Sequence, residues 1–271
     1  MIICHSYKFI FIKTMKTAGT SLELAFMNVC GPDDIMARIV PKEPRQTSSP
    51  DINLQNASFI GRKSGRQAIL RQHSPLSRAV ELLGDKIFDY KIITSERNPW
   101  QKLVSSFFWK LHQTPRQILG DRPIEEIISE GSFDPDSLRH YFREFCCSPI
   151  KDPCEAYHLY AHDWVSLADY IIRFEHLAED LATVSQALAL PSSVRLPRQA
   201  AKGNVRPTNT MEFLFCSESD AAIRQRFARE ISMLGYTENG SDCPTYEPFR
   251  FRGAWKKQLF DSHKKSDWVA A

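Results

Sequence analysis

Residues 9–21 read FIFIKTMKTAGTS, and the architecture of the chain follows from how this stretch is parsed. Phe9, Ile10, Phe11 and Ile12 form an apolar, β-rich run that breaks into a short loop holding two lysines and a glycine. Leu22, Ala25, Phe26 and Val29 then fall at i, i+3, i+4 and i+7, the spacing of a helix, with Thr20 or Ser21 as N-cap and Gly31-Pro32 as the stop. The parse is strand, loop, helix. A loop that runs into a helix N-terminus leaves several backbone N–H groups unpaired at the positive end of the helix dipole, so a phosphate or sulfate is the expected guest. Lys16 adds an ammonium, and Thr17, Thr20 and Ser21 add hydroxyls. The nucleoside-triphosphate loop GxxxxGK(S/T) is excluded, because here the lysine precedes the glycine.

Working outward, residues 90–96 (YKIITSE) predict a second buried strand, ended by Arg97-Asn98-Pro99-Trp100. Pro99 opens a helix with an apolar stripe at Trp100, Leu103, Val104, Phe107, Phe108 and Leu111. Arg97 therefore stands at the carboxyl end of a strand, the edge where open α/β sheets bind ligands, and Ser105 lies in the second turn of the following helix. A guanidinium and a hydroxyl suit a phosphate monoester. Upstream, Arg62, Lys63, Arg66 and Arg71 precede His73-Ser74-Pro75. Ser74 reads as an N-cap and Pro75 as N1, with Leu76, Ala79, Val80 and Leu83 forming a helical stripe closed by Gly84. At a helix N-terminus the dipole opposes protonation of His73, which leaves the imidazole able to accept a proton near neutral pH. Residues 169–174 (DYIIRF) predict a third strand, with Arg173 paired to Glu175, before a helix carrying Leu177, Leu181, Val184 and Leu188. A basic loop, Lys202-Gly203-Asn204-Val205-Arg206-Pro207, precedes a last helix with Ile223, Phe227, Ile231 and Leu234 in phase and Gly235 at C′.

Lys16-Thr17-Ala18-Gly19-Thr20-Ser21, placed straight after the first strand, resembles the 5′-phosphosulfate loop of sulfotransferases that use 3′-phosphoadenosine 5′-phosphosulfate. RNPWQKLVSSFFW at 97–109 resembles the 3′-phosphate element of the same enzymes, in which an arginine at a strand end and a serine eight residues later hold that phosphate. Residues 71–100 also resemble the stretch that carries a histidine before a helix in the carbohydrate branch of the family. The resemblance implies an α/β fold, P-loop-like and three-layered (α/β/α), with a central mainly parallel sheet and helical insertions on the acceptor side. It implies that Lys16 and the N–H groups of Thr17, Ala18, Gly19, Thr20 and Ser21 bind the 5′-phosphosulfate, and that Arg97 and Ser105 bind the 3′-phosphate. Lys202 or Arg206 would lie near the 3′-phosphate or the adenine. His73 would be the base and Lys16 would stabilise the leaving phosphate, with adenosine 3′,5′-bisphosphate as product and no metal. The implied acceptor is a hydroxyl, with a carbohydrate favoured and a small alcohol, phenol or lipid head group open. Two departures stand out: Met15 replaces a usual proline, and Lys13 replaces a smaller or neutral residue, either as a second phosphate contact or facing solvent.

The 271 residues suffice for one domain spanning 1–271, with an irregular loop at 32–58, a helical acceptor-side region at 113–168 and a C-terminal tail at 237–271. In the middle region, Ile124, Ile127 and Ile128 predict a short helix and Leu138, Tyr141, Phe142 and Phe145 another. With 42% hydrophobic and 25% charged residues the composition is that of a globular protein, and a net charge of +3 gives no argument for nucleic acid. No run reaches the roughly 20 apolar residues of a membrane span and no signal peptide is evident, so a cytoplasmic enzyme is expected. Seven cysteines without CxxC spacing read as reduced thiols, and His158 with His162 lacks the HExxH context of a zinc site. Two other functions fit a phosphate-binding loop. One is a kinase-like ATP-dependent phosphotransferase, disfavoured by the missing GK(S/T); the other is a non-catalytic nucleotide-binding scaffold.

Overall fold

A computed structural model describes residues 1–37, 70, 72–114, 118, 128–129, 132–162, 165–197 and 212–237. In chain order its elements are β1 (Ile2–Cys4), β2 (Phe9–Ile12), α1 (Gly19–Met27), β3 (Ile35–Met36), α2 (Leu76–Leu83), β4 (Lys91–Glu96), α3 (Pro99–Gln113), β5 (Ile128–Ser129) and β6 (Ser132–Phe133). There follow α4 (Pro135–Cys147), β7 (Ala161–His162), β8 (Val165–Ser166), β9 (Tyr170–Arg173), α5 (Leu177–Ala187), α6 (Ser217–Arg226) and α7 (Ala228–Leu234). The contacts divide the chain into two compact units. One comprises Met1–Glu96, Ala156–Ala201 and Glu247–Ala271, the other Arg97–Glu155 and Lys202–Tyr246.

The first unit is built on a five-stranded sheet in the order β3-β1-β2-β4-β9. β2, β4 and β9 pair in parallel, while β1 runs antiparallel to both β2 and β3, so four of the five strands point one way. This is the expected α/β, mainly parallel arrangement. Phe9, Phe11, Ile93 and Ile172 share a core with Leu22, Ala25 and Phe26 of α1 and Leu181 and Val184 of α5. The Phe26 ring lies 5.1 Å from the rings of both Phe9 and Phe11. The alternate positions Ile10, Ile12, Ile92 and Ile171 are buried too. Burial on both faces is why the strands read as unbroken apolar runs instead of alternating ones.

The second unit packs aromatic residues between helices. Phe107 of α3 lies 5.3 Å from Phe142 and 5.7 Å from Phe145 of α4, and Phe142 lies 5.6 Å from Phe215. Trp100 donates its indole N–H to Asp220 at 2.8 Å under the Arg224 guanidinium. Buried Asp152 accepts from Ser106 and pairs with Lys110, each at 2.8 Å.

Several local expectations are corrected. Ile128 lies in β5, paired with β6, and not in a helix; Ile124 and Ile127 lie outside the described residues. The last helix is two helices, because Phe227 leaves helical geometry at φ −112° and ψ 23° while burying its ring. Pro75 is the cap residue of α2 and not N1, and no side chain caps that helix. Arg173 pairs with Asp180, a partner the sequence reading did not name: Nε and Nη2 each reach the carboxylate at 2.8 Å, and the Arg173 N–H adds a third bond at 2.8 Å. Asp180 sits in the first turn of α5, where the dipole favours an anion.

Candidate active site

The loop between β2 and α1 is shaped by four features of its own sequence. Lys16 and Ala18 both take positive φ, 65° and 59°, a left-handed conformation uncommon outside glycine and of the kind that builds anion-binding nests of backbone N–H groups. Ala18 is consequently the N-cap of α1, in place of Thr20 or Ser21, and no side chain caps the helix. Thr20 and Ser21 fall inside the first turn, both half-buried. With no side-chain oxygen on them, the first-turn N–H groups are presented to an incoming anion.

The second feature is Gly19. A Cβ there would sit 2.8 Å from Lys13 Cγ and 3.0 Å from the Thr14 carbonyl oxygen, so only glycine lets the end of the loop close on its beginning. The third is Lys13, which neither faces solvent nor waits for a phosphate. Its side chain is buried, and Nζ reaches Glu23 Oε2 of α1 at 2.6 Å. The fourth is a buried cluster of three hydroxyl side chains. Thr17 Oγ1 lies 2.9 Å from Thr14 Oγ1 and 2.8 Å from Ser95 Oγ of β4, and the Thr14 hydroxyl donates to the Ser95 carbonyl. The Thr17 hydroxyl is thereby engaged with protein, and its offer to an anion is its backbone N–H. Lys16 is half-buried.

His73 joins this loop. Its Nδ1 lies 2.9 Å from the carbonyl oxygen of Lys13. A carbonyl only accepts, so Nδ1 carries the proton and Nε2 holds the lone pair. Burial holds the imidazole below its ordinary pKa of 6.5. The bond to Lys13 opposes that shift, the Lys13 and Met1 ammonium groups add to it, and Glu23 opposes it. The combination is a neutral imidazole of defined tautomer, able to receive a proton at Nε2.

Arg97 and Ser105 belong to the second unit. Arg97 follows the last residue of β4 directly and is buried. The Asn98 side chain accepts from the N–H groups of Trp100 and Gln101 at 3.1 and 3.3 Å, which starts α3 and sets the turn on which half-buried Ser105 lies. Lys202 and Arg206 lie outside the described residues. Sequence reasoning missed Glu23, Thr14 and Ser95. Glu23 had one legible sign, a carboxylate flanked by the apolar stripe of a helix; nothing local marks Ser95, whose partners come from a neighbouring parallel strand. Elsewhere, Cys4, Cys30 and Asp34 converge in a buried group. Asp34 there clasps the chain by accepting the N–H groups of His5 at 2.5 Å and Gly31 at 2.8 Å.

Among the described residues no helix is long and apolar enough to cross a membrane. Residues 1–237 match the sequence model of the sulfotransferase family. No curated protein and no solved structure matches the chain.

Proposed function

The chain belongs to the sulfotransferase family, and on that premise we propose that it moves a sulfuryl group from 3′-phosphoadenosine 5′-phosphosulfate to an acceptor hydroxyl. The observation that carries this reading is the bond from His73 Nδ1 to the Lys13 carbonyl. It ties a neutral base to the first residue of a loop suited to an anion.

The donor supplies an activated sulfuryl group on a phosphate leaving group. The Lys16 ammonium and the N–H groups of Thr17, Ala18, Gly19, Thr20 and Ser21 hold its 5′ end and offset the charge that builds on the bridging oxygen. Arg97 and Ser105 hold the 3′-phosphate, with Lys202 or Arg206 near that phosphate or the adenine, and so fix where the sulfur lies. His73 Nε2 takes the acceptor proton as the new O–S bond forms and the old S–O bond breaks, releasing adenosine 3′,5′-bisphosphate. The scheme balances without a metal. A carbohydrate hydroxyl is the favoured acceptor.

The test is a thermal-shift titration with adenosine 3′,5′-bisphosphate against ATP and 5′-AMP, because a ligand of the folded state raises apparent stability with its concentration. The expected result is a shift specific to the bisphosphate and weakened by Arg97→Ala. A shift with ATP alone would overturn this reading in favour of a phosphotransferase.

A further inference from the structure

A lysine only 3% exposed and a glutamate only 1% exposed are costly to place in a protein interior unless each meets the other. Lys13 and Glu23 do so at 2.6 Å, and the path of the lysine is closely specified. Its stem passes under Gly19, where a Cβ would collide with Cγ, and its head is held by the second turn of α1. With both ends of the side chain fixed, the backbone of residue 13 is fixed as well. That backbone supplies the carbonyl that receives the His73 N–H. The other oxygen of Glu23, Oε1, has no hydrogen-bond partner among the described residues and lies 3.8 Å from the Met1 ammonium. The same ammonium donates to the carbonyl of Gln72, the neighbour of His73, at 3.1 Å.

We propose that Glu23 is a positioning residue for the base: through its ion pair with Lys13 it holds the carbonyl that fixes the tautomer and orientation of His73. The inference rests on the functional reading above and adds a residue of α1 to it. Among the described residues, the titratable groups that face His73 are Lys13, Glu23 and the Met1 amino group. The Lys13 ammonium disfavours the imidazolium, as does the Met1 amino group where it is protonated, its own pKa being lowered by burial to about 6, and Glu23 favours it, so Glu23 also moderates how far the His73 pKa is depressed.

The sign of the pH effect follows. Catalysis needs neutral His73, so the rate is lost as pH falls through the His73 pKa, which lies below 6.5. Glu23→Gln removes the anion that, among the described residues, favours the charged form, so the acid limb moves to still lower pH. The loosened carbonyl should also lower kcat on the order of tenfold to a hundredfold, the scale of a misplaced catalytic group, with donor KM little changed. A loss of stability alone would move neither the limb nor the split between kcat and KM in this way.

The experiment is an NMR titration of the His73 imidazole in the full chain without donor, reading tautomer from the ring nitrogen shifts, in wild type, Glu23→Gln and Lys13→Met/Glu23→Gln. The expected results are an Nδ1–H tautomer in wild type, a downward displacement of the titration with loss of a single tautomer in Glu23→Gln, and a return of the titration towards wild type in the double variant. The double variant carries no buried charge from either residue and keeps the test open if Glu23→Gln does not fold. A titration and tautomer unchanged by Glu23→Gln would overturn the proposal. Sulfuryl transfer is assayed separately, so a wild type inactive with 3′-phosphoadenosine 5′-phosphosulfate would count against the functional reading and be distinguishable from that outcome.

Discussion

Replacing Gly19 by alanine tests whether the loop is as tightly closed as its geometry indicates. The added Cβ would stand 2.8 Å from Lys13 Cγ, 3.0 Å from the Thr14 carbonyl oxygen and 3.5 Å from Lys13 Cε. Ordinary carbon contacts lie at about 3.5–4.0 Å, so at least two neighbours must retreat by several tenths of an ångström. Neither yields readily. The oxygen is loop backbone, and Cγ belongs to a side chain whose far end is held by Glu23. Overpacking of this kind costs about 1–3 kcal/mol. Alanine is the better helix former by up to about 1 kcal/mol, but residue 19 is the first of α1, where that advantage is only partly realised. The net expectation is a destabilisation of about 1–2 kcal/mol, read by urea denaturation at equilibrium. Affinity for adenosine 3′,5′-bisphosphate should fall as well, because the displaced atoms belong to the loop proposed to hold the 5′-phosphate. A variant as stable as wild type, with unchanged affinity, would refute the claim that this close approach shapes the site.

Arg173→Met removes a bidentate partner from Asp180. Because Asp180 keeps the Arg173 N–H, the loss should be about 3 kcal/mol, the lower end for breaking a buried pair, seen as a lower denaturant midpoint. Asn98→Ala removes the cap of α3 and a bond from Nδ2 to the Thr237 carbonyl at 3.0 Å. A loss of about 1–2 kcal/mol is expected, together with weaker binding of the bisphosphate if the start of α3 positions Arg97 and Ser105.

The elements that could be read from sequence were those with enough apolar residues in phase to fix a period: β2, α1, α2, β4, α3, β9 and α5. The helix over Leu138–Phe145 was legible for the same reason. β1 and β3 were not, since three- and two-residue strands are too short to display alternation, and β1 joins the sheet only by pairing with partners on either side. The two motifs proposed to bind the donor were legible in the sequence through their order and spacing. What they do locally was less so. Lys13 read as either a second phosphate contact or a solvent-facing side chain until Glu23, ten residues later and one helical turn in, accounted for its charge. The Thr17 hydroxyl looked like part of the cradle until the parallel register of β2 and β4 brought Ser95 beneath it. His73 could be placed before a helix, but its tautomer depends on a carbonyl sixty residues upstream in the chain.

The threonine and serine hydroxyls beneath the loop have a further consequence. Through Thr14, Thr17 and Ser95 the loop is stitched to the adjacent strand, so its shape is inherited from the sheet and exists before any nucleotide arrives. A guest that meets a finished cradle pays no ordering entropy for the loop, and more of its contact energy remains as affinity. On the proposed function, binding at the 5′ end should behave as docking onto a preformed surface, with folding of the sheet, and not the arrival of the ligand, as the event that creates the site.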